Sequence, residues 1–229
     1  MAETSDVLPV ESAWRGKARE ALAWLRERMF EIEPGASRFA VVGRAIFLLL
    51  LALWGLHLMR LPIDGRDGGE GLGGSFMHLI NLPFHEAGHV VFSLFGSFLH
   101  VLGGTLGQLL VPLVILGAFL QRRDPFGAGV GLWWLGESLI DCAPYIFDAR
   151  AGQLMLLGGV TGQEMPGYHD WEVILGGLGW LSYDHAIARG AWLLGLLCMV
   201  AAMAWGGYVL WRQWRWLAED ANGRAERGD

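Results

Sequence analysis

Between Phe76 and Leu120 the chain carries one charged side chain, that of Glu86. A water-soluble domain would charge about a quarter of such an interval. These 45 residues therefore have to be surrounded by lipid or by other apolar protein. Runs of about 20 apolar residues cross a hydrocarbon core as helices, because lipid offers open backbone groups no partner. The full chain of 229 residues agrees, with 53% hydrophobic and 17% charged residues and a mean hydropathy of +0.37. The expected fold is all-α: a polytopic membrane helix bundle of four to six membrane segments.

The charges that remain sit mostly in the two tails and one loop, so the net charge of -6 says little about partners. No Lys/Arg stripe supports nucleic-acid binding, and the expected partner surface is the lipid bilayer. Cys142 and Cys198 lie in separate apolar segments and read as small buried residues, neither a disulfide nor a metal site.

Periodicity divides the chain. Glu11–Ile32 reads as an amphipathic helix, with Trp14, Ala18, Ala21, Leu22, Leu25 and Met29 on one stripe, ended by Pro34-Gly35. Such a helix can lie on a membrane or pack on protein. Phe39–Met59 is the first spanning segment, and because it starts late in the chain it is expected to be an uncleaved anchor. A Gly-rich loop, Leu61–Ser75, leads to the apolar segment Phe76–Leu99. Leu109–Leu120, Gly127–Phe147 and Ala186–Trp211 follow as further segments, the second unusual for holding Glu137 and Asp141. Asp148–Asp184 is a mixed region whose apolar stretch, Val173–Leu181, is too short to span. The organisation expected is an N-terminal amphipathic helix over 1–35, a membrane domain over 36–211 and a polar tail over 212–229.

Lys and Arg concentrate in the N-terminal tail, at Arg122-Arg123 and in the C-terminal tail, which the positive-inside rule places in the cytoplasm. Two apolar runs between Leu61 and Gln121 must then make one net crossing. A re-entrant stretch over Gly103–Pro112 is the expected solution. Gly103 and Gly107 also have the spacing of small residues at close helix contacts.

The charge-free interval holds the motif His85-Glu86-Ala87-Gly88-His89. Histidines four apart share one helix face and can grip one metal ion, and Glu86 beside them can act on a water there. An ionisable residue at membrane depth costs at least about 2.5–3.5 kcal/mol, which makes Glu86 a functional residue by default.

Phe84-His85-Glu86-Ala87-Gly88-His89 resembles the site-2-protease family of intramembrane zinc metalloproteases, in which an apolar residue precedes HExGH on a membrane helix. The resemblance implies Zn2+ held by His85 and His89, Glu86 as catalytic base in peptide-bond hydrolysis, membrane-protein substrates and a bacterial inner (cell) membrane. It extends loosely to Gly104-Thr105-Leu106-Gly107-Gln108, where Gln108 takes the place of a substrate-positioning amide. The family's Leu-Asp-Gly element, which supplies a further metal ligand, is missing. Asp148 stands first as third ligand, because Asp148-Ala149-Arg150 through Gly159-Val160 resembles the ligand region of shorter bacterial members. The pair His169/Asp170 and then Asp141 are the alternatives, with Asp170 also a candidate helix cap. His57, His78, His100 and His185 lie near segment ends and read as interfacial. Beside the protease stand a non-enzymatic membrane scaffold that keeps the fold, and a metal transporter or non-peptide hydrolase.

Overall fold

Where nearly every side chain is apolar, the backbone must satisfy itself locally, and the chain folds as helix after helix. The computed structural model describes residues 10–32, 35–64 and 71–227. Pro34 and part of the Gly-rich loop, with Arg66, Asp67 and Glu70, lie outside the described residues. Among those described are seven α-helices: α1 (Val10–Phe30), α2 (Arg38–Leu58), α3 (Phe76–Phe92), α4 (Ser97–Gln121), α5 (Pro125–Phe147), α6 (Asp170–Gly177) and α7 (Asp184–Arg227). No strand forms among them, only an isolated bridge between Met155 and Thr161.

Among the described residues, three helical stretches, Arg38–Leu58, Ser97–Gln121 and Leu181–Gly223, are long and apolar enough to cross a membrane. That is fewer than the four to six segments expected. The shortfall has two causes. α3 has only 17 residues, about 25 Å of helix. α5 is long enough, but Glu137 and Asp141 reduce its apolar character.

Close contacts fix the direction of each helix. Added Cβ atoms at Gly55 and Gly206 would meet Met199 and Leu48, so α2 and α7 run antiparallel. Gly136 and Gly195 likewise bring α5 against α7, and Gly131 meets Leu116 of α4. Gly88, Gly103 and Gly107 let the backbones of α3 and α4 touch, because a Cβ on Gly88 would collide with the Gly103 carbonyl oxygen. The small-residue spacing read from the sequence is therefore a helix contact. In sum, α2, α3 and α5 point one way, and α4 and α7 the other.

This arrangement corrects the re-entrant expectation. Gly103–Pro112 lies inside the continuous helix α4. The break falls earlier, at a single 3₁₀ turn (Ser93–Phe95) and at Gly96, whose φ of 103° suits glycine. The chain makes up the parity before α3. After α2 ends, it doubles back, so that Leu72 packs with Leu58 and the Phe76 ring lies 6.0 Å from Trp54. α3 thus begins part-way along the bundle and runs parallel to α2. As a result α1, the Gln121–Pro125 turn and the far end of α7 share one end of the molecule, where Ile32, Leu120, Phe126 and Val209 pack together. The tail expected over 212–229 is helical to Arg227, a continuation of α7.

Candidate metal centre

α3 carries the motif, and its helical period stacks His85 and His89, ring centroids 4.8 Å apart. The third arm arrives from the far side of the chain. Asp170, first residue of α6, places Oδ2 3.0 Å from His85 Nε2 and 3.3 Å from His89 Nε2. The donor atoms of His85, His89 and Asp170 lie within 4.8 Å of one another, the one such trio among the described residues.

α6 is held so that its first carboxylate points inward. The cap is His169, not Asp170: its buried Nδ1 accepts the Glu172 N–H at 3.3 Å. Asp170 is thereby released from capping. Its own N–H donates to the Tyr145 hydroxyl at 2.9 Å, and the His169 ring lies 4.2 Å from the Tyr145 ring. Burial alone would push the Asp170 carboxyl up, but hydrogen bonds from His85 and His89 outweigh it and hold it at about 2.

The surroundings fit a metal cation. His89 Nδ1–H donates to the His100 carbonyl at 2.8 Å, and His100 Nδ1–H donates back to the His89 carbonyl at 2.9 Å. That bond leaves His89 Nε2 facing Asp170 Oδ2. In a neutral ring, two lone pairs would repel there. Either a proton that makes the ring cationic or a metal ion between the atoms removes the conflict. Two imidazoles and a carboxylate are a common zinc set with a fourth position open. Gly104 supplies the room, since a Cβ there would lie 2.5 Å from Nε2 of both histidines.

The trio opens into a cavity of about 740 Å³ that Glu86, Tyr145, Leu156 and Tyr168 also line. Glu86 is half-buried at its wall. The structure places Asp148 elsewhere: its oxygens accept the N–H groups of Gln153 (3.0 Å) and Leu154 (2.9 Å), with His169 Nε2 3.6 Å away. It organises the loop behind α6 because it ends α5 just where the chain turns back.

Asp141 and Gln108 line the same cavity but belong to a second hydrogen-bond network. Gln108 Nε2 donates to Asp141 Oδ2 at 2.9 Å, and Asn81 donates to Asp141 Oδ2 (3.1 Å) and Glu137 Oε2 (2.9 Å). His78 Nδ1 bonds Asp141 Oδ1 at 2.9 Å, and the Trp134 N–H reaches Asn81 Oδ1. His78 is therefore a network member, and His100 braces His89. His185 stacks on Phe147 at 3.7 Å. Both cysteines are free thiols, Cys142 buried and Cys198 partly so. Sequence reasoning missed Asn81 and Tyr145. Their signals were helical spacing, Asn81 one turn before His85 and Tyr145 one turn after Asp141.

No protein-family model, curated protein or solved structure matches the chain.

Proposed function

We propose that this protein is a membrane-embedded zinc metalloprotease similar to the site-2-protease family, hydrolysing peptide bonds of membrane proteins. The observation that carries the reading is Asp170 Oδ2 within 3.3 Å of Nε2 of both motif histidines, beside Glu86 in one cavity. His85, His89 and Asp170 hold the metal, which replaces Asp148 as third ligand. When bound, zinc supplies Lewis-acid activation of water and of the scissile carbonyl. Glu86 takes the proton of the attacking water and passes it to the leaving amine. The His100 carbonyl keeps His89 in the tautomer that presents Nε2.

The lipid bilayer surrounds the bundle in this reading. Leu49, Leu50 and Leu53 on α2, and Leu193, Leu194 and Leu197 on α7, are exposed and find their environment in acyl chains. α3 and α5 stand at membrane depth among the three long spans, and the end bearing α1 and Arg122-Arg123 faces the cytoplasm of a bacterial inner membrane.

One observation favours the alternative of an inactive scaffold. Gln108, the residue at the substrate-positioning place, is buried and spends its amide on Asp141 and the Ser138 carbonyl. A cleavage assay in liposomes with a single-span substrate decides between the two. Glu86→Gln should lower turnover by about 10²–10⁴-fold with zinc content unchanged. Full activity in that variant would remove Glu86 from catalysis. Stoichiometric tight zinc without cleavage by wild type would favour the scaffold.

A further inference from the structure

α1 presents an apolar face that no described residue covers along most of its length. Between Trp14 and Phe30, the stripe of Trp14, Ala18, Leu22, Leu25 and Met29 runs along one side of the helix. Its inner end is anchored. The Met29 carbonyl accepts the Trp205 indole N–H at 2.9 Å, Met29 packs on the core, and Ile32, next in the stripe's line, is buried. Its outer end is bare, with Trp14 69% and Leu22 65% exposed. The anchor sets the height. Ile32 packs against Leu120 at the end of α4 and Phe126 at the start of α5, the level at which the apolar stretch Ser97–Gln121 ends. Arg28 donates to the Leu120 and Gln121 carbonyls, and Glu27 pairs with Arg123, so the helix leaves that end in a fixed direction.

Charge is sorted around the stripe. Arg15, Arg19 and Arg26 border one edge and Lys17 and Arg28 the other, while Glu20 and Glu27 lie on the opposite face. Cations at the boundary between apolar and polar faces, with Trp on the apolar side, suit the headgroup layer of an anionic leaflet. A protein partner would not require cations on both flanks. We propose that α1 is an interfacial helix that lies on an anionic lipid leaflet, with Trp14, Leu22 and Leu25 in the acyl boundary. The proposal rests on the reading of the bundle as membrane-embedded.

The test uses the full chain with Cys142→Ala and Cys198→Ala, labelled with an environment-sensitive fluorophore at Leu22→Cys, Glu20→Cys or Leu50→Cys. Each is reconstituted in phosphatidylcholine vesicles with or without about one-third phosphatidylglycerol. The expected result is strong quenching of position 22 by lipid-borne nitroxide, several-fold above position 20, greater with anionic lipid and reduced by salt. Replacing Arg15, Arg19 and Arg26 by Gln should weaken the anionic preference by about fivefold per charge. Equal exposure of positions 20 and 22 to an aqueous quencher in both lipids overturns the proposal. So does protection of position 22 that rises with protein density and persists in detergent, which would mark a second copy as the occupant. Position 50 reports separately on α2: failure of lipid quenching there would overturn the membrane reading itself.

Discussion

Two polar clusters sit in this apolar bundle, about one helical turn apart on α3, and they are built on opposite plans. In the upper one, His89 Nε2 and Asp170 Oδ2 point acceptor atoms at one another beside His85, around a space that Gly104 keeps free. In the lower one, Asn81, Gln108, Asp141 and His78 pair donors with acceptors, and among its fully buried side-chain atoms Glu137 Oε1 alone lacks a partner. Buried polar groups are stable when each donor meets an acceptor. Apart from Glu137 Oε1, the lower cluster meets that rule with its own side chains, and it locks α3, α4 and α5 together. The upper cluster meets it only with an added proton or cation. Convergent acceptors mark a binding centre, and complementary pairs mark a structural one.

The sharpest way to break the contrast is to remove one acceptor from each candidate arm. Asp170→Ala should weaken zinc or cobalt binding by more than about 100-fold, beyond the usual range for groups that only support a ligand. Asp148→Ala should leave affinity nearly unchanged and lower the melting temperature, because it frees the Gln153 and Leu154 amides. Competition titration with a chelating dye measures both. The reverse outcome would return Asp148 to the metal.

Protons should compete at the upper cluster. Both histidines must be neutral to bind, so metal affinity should fall as pH is lowered, by up to about 100-fold per pH unit where two protons are displaced by the ion. An affinity independent of pH throughout the range in which the protein stays folded would exclude histidine ligation.

The lower cluster should answer to stability instead. Asp141→Ala strands the amides of Asn81 and Gln108 and the His78 ring, a cost of about 1–3 kcal/mol, with metal affinity preserved. Thermal unfolding in detergent reads the first quantity and dye competition the second.

The smallest effect tests the link between α5 and the third arm. Tyr145→Phe keeps the ring against His169 and removes the acceptor of the Asp170 N–H. Metal affinity should fall about tenfold, the low end for such supporting groups. The Co2+ absorption spectrum should change with it, while a purely structural ring would leave the spectrum intact.

Several parts of this molecule were already legible as a string of residues. The charge-free interval demanded helices, because only a helix satisfies its backbone in an apolar medium. The i, i+4 spacing put His85 and His89 on one face, since helical geometry is local. Glycines at 103 and 107 announced a close helix contact. The rest depended on which distant residues the packing brings together. Asp148, Asp141 and Asp170 are all carboxylates near apolar helix ends, and spacing does not rank them. Packing does: Asp148 faces the amides of its own loop, Asp141 faces Asn81 and Gln108, and His169 takes the cap that would have occupied Asp170. The doubling back before α3 was equally hidden, because it follows from how Leu72 and Phe76 find Leu58 and Trp54. Sequence determined the helical class and half of the candidate metal centre, through interactions that span one turn. The tertiary structure alone supplied the third arm, through contacts that span the chain.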